Sequence, residues 1–277
     1  LAPYDRAERQ AQWQTFLSAQ SGASQSAAPG SMTPRAGIIC GLPRTGTPLV
    51  EQIVARHDDA TPGGEMGHGL RLALRLYETD GALAPLDSLD ADARSTFAET
   101  YARLVARDTR ATRGAVTDKS IRNFQLFGLL HSALPDARIV VVHRDPRDVA
   151  LSMWRNYFQL GTHRYSNDWA DIADEIKRFR RSIAIWRDRL PGVLHEIHYE
   201  DLVSDPEPQA RALLAATGLD WQDQVLDAKA TQGAVQTLSL SQVRAPIHAG
   251  RREAWRRYET EMAPFLDAWG DAAWGET

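Results

Sequence analysis

The chain has 277 residues, 43% of them hydrophobic and 25% charged, and a formal net charge of −4 from 32 Lys+Arg against 36 Asp+Glu. That length and apolar content suit one large α/β domain whose core needs no disulfide, and the single cysteine, Cys40, excludes an intrachain one. The mild acidity excludes general nucleic-acid binding, no run approaches the ~20 apolar residues of a membrane span, and no basic-then-apolar leader opens the chain, so a cytoplasmic location is expected.

In chain order, residues 5–19 read as a short helix, with Trp13, Phe16 and Leu17 at helical spacing. Residues 18–34, rich in Ser, Ala, Gln, Gly and Pro, read as a connector, so residues 1–34 form an N-terminal helix and linker ahead of a domain over 35–277. The core begins at Arg35. Ala36 to Leu42 is an apolar run ending in turn residues, as a buried strand requires, and Thr47 to His57 follows as a helix with Leu49, Val50, Ile53 and Val54 on one side. Pro48 suits the first helical turn, where a missing N–H costs nothing. Further strands are expected at Ala115–Asp118, Arg138–His143 and Val193–Tyr199. Helices are expected after Arg122, from Pro146 to Tyr157, over 171–190, and from Asp201 to Thr217. This alternation predicts a P-loop-type parallel sheet flanked by helices on both faces, with no internal repeat and no second domain.

Two segments carry chemistry. In Gly41-Leu42-Pro43-Arg44-Thr45-Gly46-Thr47-Pro48, two glycines are separated by four residues, after a strand and before a helix. Such a loop aims backbone N–H groups at an anion, the helix dipole adds to the attraction, and the hydroxyls of Thr45 and Thr47 supply further donors. A P-loop would place Lys and then Ser or Thr after Gly46. Here the cation is Arg44, inside the loop, where it can clamp a single cradled phosphate. The second segment is His143-Arg144-Asp145-Pro146-Arg147-Asp148, at the end of a buried strand. A magnesium-dependent P-loop enzyme usually presents a carboxylate at that strand end; this chain presents Arg144. Ser152 lies eight residues on, two turns along the next helix, so both can converge on one phosphate.

The pair of segments resembles the two donor-binding motifs of sulfotransferases that use 3′-phosphoadenosine 5′-phosphosulfate (PAPS), giving PAP as product. The first is similar to the family's 5′-phosphosulfate loop and the second to its 3′-phosphate motif. The likeness runs from Arg35 to Tyr258 and is greatest to the bacterial branch related to tetratricopeptide-fused and tyrosylprotein sulfotransferases; Leu49-Val50-Glu51-Gln52-Ile53, Tyr199-Glu200-Asp201-Leu202-Val203 and Ser241-Gln242-Val243-Arg244 all look like it. One departure is plain. Pro48 stands where the family generally has a second Thr, removing a hydroxyl and an N–H from the phosphate site.

The resemblance implies a donor site of Arg44, Thr45, Gly46, Thr47, Arg144, Ser152, Tyr199 and Arg244, with no metal required. It implies Glu65, in Pro62-Gly63-Gly64-Glu65, as general base, with His68 as the competing base. Arg44 and Lys119 would stabilise the transferring sulfuryl group and the leaving phosphate, and Ser239, or Ser241 in a shifted alignment, would place a hydroxyl near the donor. The expected acceptor is a small molecule or a peptide tyrosine, with no nucleic acid and no membrane span; oligomeric state is not legible. Trp154, Tyr157, Phe158, His163, Arg164, Tyr165 and Trp169 form either a lid over a flat acceptor or part of the core. Arg251, Arg252, Arg256 and Arg257 form either a solvated face or a closure over the nucleotide. Two rival functions are a degenerate P-loop kinase using ATP and Mg²⁺, and a PAP-binding module that has lost catalysis.

Overall fold

The structure is a computed structural model and describes residues 4–22, 32–79, 82–159, 161–227 and 253–275. In chain order the elements are α1 (Arg6–Ala19), β1 (Arg35–Cys40), α2 (Thr47–Ala55), β2 (Ala60–Pro62), α3 (His68–Tyr77), a small antiparallel ribbon of β3 (Glu78–Thr79) and β4 (Ala82–Leu83), α4 (Ala91–Thr109) and β5 (Ala115–Asp118). They continue with α5 (Phe127–Ala133), β6 (Arg138–His143), α6 (Pro146–Trp154), α7 (Trp169–Arg189), β7 (Leu194–His198), α8 (Tyr199–Ser204), α9 (Pro206–Thr217) and α10 (Ala263–Trp269). The main sheet runs β2-β5-β1-β6-β7 with every neighbouring pair parallel.

The three inner strands, β1, β5 and β6, are buried almost throughout because both faces are covered, whereas the edge strands β2 and β7 are only partly buried. Successive side chains of a strand point to opposite faces. Ile39, Val140 and Val142 therefore pack against Val50, Ile53 and Val54 of α2 and Leu213 and Leu214 of α9. Ile38, Ile139 and Val141 turn the other way, into a larger core with Phe127 and Leu130 of α5 and Phe179, Ile183 and Trp186 of α7. The helix N-terminal to the sheet belongs to this second layer. Asp5 caps α1, accepting from the amides of Ala7 and Glu8. Trp13 Nε1 donates to Ser182 Oγ (2.6 Å), and Arg9 pairs with the buried Glu175 of α7 (2.7 Å).

Boundaries differ from expectation in places with physical causes. The helix expected over 201–217 is two helices: Asp205 leaves the helical region (φ −137°, ψ 75°) before Pro206, because a proline disfavours that region in the residue preceding it. The helix expected to reach Tyr157 ends at Trp154. The segment after Arg122 first forms a tight 3₁₀ turn (Ile121–Leu126) and becomes α-helical only at Phe127. β2, α3 and α4 lie in a stretch left unassigned from sequence; α4 buries Phe97, Tyr101 and Val105 in the core, with Ala98, Ala102 and Leu104 packed partly against it.

The end of β6 is locked to β7. Glu196 Oε2 accepts from His143 Nε2 (2.7 Å), and Arg187 adds two bonds to the same carboxylate. Burial opposes the charge on Glu196, but these donors outweigh it and hold the carboxyl down at about 2. A carboxyl lowered on folding stabilises the native state above its unfolded value, near 4.5, and loses that contribution as pH falls toward about 2. The stability difference between the wild type and Glu196→Gln is therefore expected to shrink steadily between pH 4.5 and 2, read by denaturant titration at each pH. A constant difference across that window would show that the pair is not formed. Because His143 immediately precedes Arg144, this lock also fixes where Arg144 leaves the sheet.

Candidate active site

The chain leaves β1 through a loop into α2 on one face of the sheet, and leaves β6 into α6 and α7 on the other. The loops part above this boundary, and the crevice between them is the usual ligand position in an open parallel sheet. The loop over 41–46 carries two enforced glycines. A Cβ on Gly41 would lie 2.5 Å from Thr45 Oγ1; one on Gly46, which has φ 105°, would lie 2.5 Å from the Tyr199 ring. Arg44 also has positive φ, 73°, a conformation that costs a non-glycine residue about 1–2 kcal/mol. It turns the guanidinium across the crevice, where Nε donates to Ser152 Oγ on α6 (2.8 Å). Arg144 donates to the Arg44 carbonyl (3.1 Å) and lies over the Tyr199 ring at 4.3 Å.

These residues wall a cavity of about 400 Å³, lined by Arg44, Arg144 and Arg155 together with Asp148, Ser152 and Asn156. Its one acid among the described residues, Asp148, accepts from the amides of Glu253 (2.8 Å) and Trp255 (3.1 Å) and lies 3.9 Å from Arg144. Burial pushes this carboxyl up, against the pull of Arg144 and the two amides. Three guanidinium groups beside the amino end of a helix suit a ligand with phosphate groups.

The neighbouring strand end holds the second half of the site. Lys119, directly after β5, is 2% exposed and pairs with the half-exposed Glu65 at 2.9 Å. His68, three residues beyond Glu65, instead faces Asp108 (2.8 Å) and Arg71 (2.9 Å) and is buried. The aromatic group does not act as one lid. Tyr165 and Trp169 are buried in the core, Trp154 stacks on Trp169 at 4.4 Å, and Tyr157 stands 97% exposed. Arg256 pairs with Glu253 on the surface. Ser239, Ser241, Arg244, Arg251 and Arg252 lie outside the described residues.

The structure thus brings Arg44, Arg144 and Ser152 to one cavity, with Tyr199 against Gly46 and Arg144 and the Lys119–Glu65 pair after β5; Thr45 and Thr47 are buried, and the Thr45 hydroxyl, expected to face a ligand, donates to the Leu42 carbonyl (2.8 Å). Sequence reasoning missed Asp148, whose only signal was its i+4 spacing from Arg144. It also missed Arg155 and Asn156, which continue the turn after Ser152, and the buried Glu51.

A parallel sheet with an anion-binding loop after its central strand and an arginine at the next strand end is a P-loop-type nucleotide fold. The chain belongs to the sulfotransferase family, whose model matches residues 38–223. It is 31% identical over 240 residues to an uncharacterized protein of Aquifex aeolicus, covering 83% of this chain but 31% of that protein, so the chain spans about a third of the relative's length. The sulfotransferase domain of the Synechococcus PCC 7002 olefin synthase superposes with a TM-score of 0.57 at 17% identity, covering 84% of this chain and 91% of that one. The sulfotransferase domain from the curacin biosynthetic pathway gives 0.49 at 16% identity, over 79% and 84%.

Proposed function

We propose that the chain transfers a sulfuryl group from PAPS to a hydroxyl, phenol or amine acceptor. The observation that carries this reading is the convergence of Arg44, Arg144 and Ser152 on one cavity, with the Lys119–Glu65 pair at the next strand end. Arg144 and Ser152 would hold the 3′-phosphate. The loop over 41–47 would hold the phosphate that bears the sulfuryl group, through its backbone amides, the Thr47 hydroxyl and Arg44. Glu65 would take the acceptor's proton as the acceptor oxygen or nitrogen bonds to sulfur. Lys119 and Arg44 would meet the charge on the phosphate oxygen as its bond to sulfur breaks. The proton passes to Glu65, the sulfuryl group to the acceptor, and the leaving charge to PAP beside Lys119 and Arg44.

The test is calorimetric titration with PAP and with ATP, each with and without Mg²⁺, followed by transfer from sulfur-labelled PAPS to a panel of phenols, alcohols, amines and tyrosine peptides. Magnesium-independent PAP binding with a labelled product is expected. Binding of ATP with Mg²⁺, and none of PAP, would replace this reading with that of a kinase. Pro48 lies in the first turn of α2, beside the phosphate loop. Pro48→Thr restores a hydroxyl there, and a hydrogen bond to a charged group contributes about 1.5–3 kcal/mol. PAP is accordingly expected to bind Pro48→Thr about tenfold or more tightly, and an unchanged Kd would show that the site lacks no donor at this position.

A further inference from the structure

Glu51 is a carboxylate on the inner side of α2, 5% exposed, among Val50, Ile53 and Val54. A buried charge survives only where polar partners replace water. Its Oε1 accepts from the Thr117 hydroxyl (2.8 Å) and from the Gly64 amide (2.9 Å). The Thr117 hydroxyl, having donated its proton to Glu51, accepts from the Gly63 amide (3.2 Å). On the other side of the same residue, the Gly64 carbonyl accepts from the Lys119 amide (2.8 Å). Gly64 is thus held at both its N–H and its C=O, and Gly63 is pressed so close to the Thr117 carbonyl that a Cβ there would approach to 2.2 Å. The next residue is Glu65.

We infer that Glu51 is a positioning residue for the transfer reaction: it ties the glycine pair to β5 and α2, and so sets the Glu65 carboxylate relative to the phosphate loop. The inference rests on the reading of Glu65 as the base. Three pieces meet at Glu51. The phosphate loop leads into its own helix, Thr117 lies in β5 with Lys119 directly after that strand, and the segment over 63–65 carries the base. A displacement of 1 Å between base and acceptor can cost about a hundredfold in rate. A clamp on the residue before the base therefore acts on turnover without touching any substrate.

The experiment compares Glu51→Ala, Glu51→Gln, Thr117→Val and Glu65→Gln as full chains. Three quantities are read: PAP affinity by calorimetry, turnover of PAPS with 2-naphthol as acceptor probe, and hydrogen exchange at the Gly64 amide in the PAP complex. Glu51→Ala is expected to lower kcat at least tenfold and speed Gly64 exchange at least a hundredfold, with the Kd of PAP within threefold of wild type. Glu51→Gln keeps an acceptor at Oε1 and is expected to stay within threefold in all three. Thr117→Val, which leaves Glu51 in place, should fall between them and decides the matter if Glu51→Ala does not fold. Unchanged Gly64 exchange in both Glu51→Ala and Thr117→Val, or damage in Glu51→Gln equal to that in Glu51→Ala, overturns the clamp. Normal turnover of Glu65→Gln would instead remove Glu65 as the base, while Gly64 exchange still decides the clamp by itself.

Discussion

Glu65→Gln is expected to lower turnover about a hundredfold or more while leaving the Kd of PAP within about twofold. A positioned base contributes on the order of 10²–10⁴ to proton-transfer steps, and Gln cannot take the proton. Yet Gln retains an oxygen at the position of Oε1, 2.9 Å from Lys119 Nζ, so the buried lysine keeps a hydrogen-bond acceptor and the strand end keeps its shape. The separation of effects is the informative part. A fall in turnover matched by a fall in PAP affinity would mean that Glu65 supports the donor site rather than the acceptor's proton. Undiminished turnover would move the base elsewhere, and His68 is a poor substitute because Asp108 and Arg71 already engage both ring nitrogens.

Arg144→Ala is expected to weaken PAP about 10–100-fold, from the loss of charge-assisted bonds of about 1.5–3 kcal/mol, at 1.4 kcal/mol per decade. The specific prediction concerns a comparison of ligands. Adenosine 5′-phosphate lacks the 3′-phosphate, so its affinity should change little, and the preference of the wild type for PAP over it should largely disappear. Equal loss for both ligands would show that Arg144 acts by supporting the phosphate loop, whose Arg44 carbonyl it also holds, or Tyr199, whose ring it covers. The variant leaves Asp148 buried but still bound by two amides, so folding should survive.

Much of the crevice between Arg44, Arg144 and Ser152 was legible because its parts are local in sequence. Gly41 to Thr47 is a strand–loop–helix joint, and Arg144 with Ser152 is a strand end and one face of a helix. Both follow from periodicity and turn chemistry, and the parallel sheet then brings them together. The same logic placed Lys119 at a strand end. What was not legible depends on contacts between distant segments. Nothing in Glu51 itself announces that its partners are Thr117 and Gly64, since a glutamate in a helix reads as solvated unless the strand beneath it is known. His68 competed with Glu65 as the base in the sequence, and only the approach of Asp108 from α4 and of Arg71 shows that its ring is already engaged. Tyr165 and Trp169 resembled lid residues because aromatic clusters near a motif and aromatic clusters in a core have the same composition.

The docking of α1 has a consequence for how the protein can be cut. Glu175 is buried and charged, and Arg9 and the Tyr4 hydroxyl supply part of what keeps it so, with Arg178 beside it. Burial alone would raise this carboxyl, yet these partners hold it below its ordinary value. A fragment begun at residue 35, where the sheet starts, would retain every strand and every donor-site residue named above. It would nonetheless strip an arginine from an interior carboxylate and uncover Ser182 and the backbone carbonyl of Gln125, which now receive Trp13 and Gln20. α1 is the outer wall of α7, so a fragment begun at residue 35 is expected to unfold at lower denaturant than one begun ahead of Tyr4, and equal midpoints would show that α1 adds no stability.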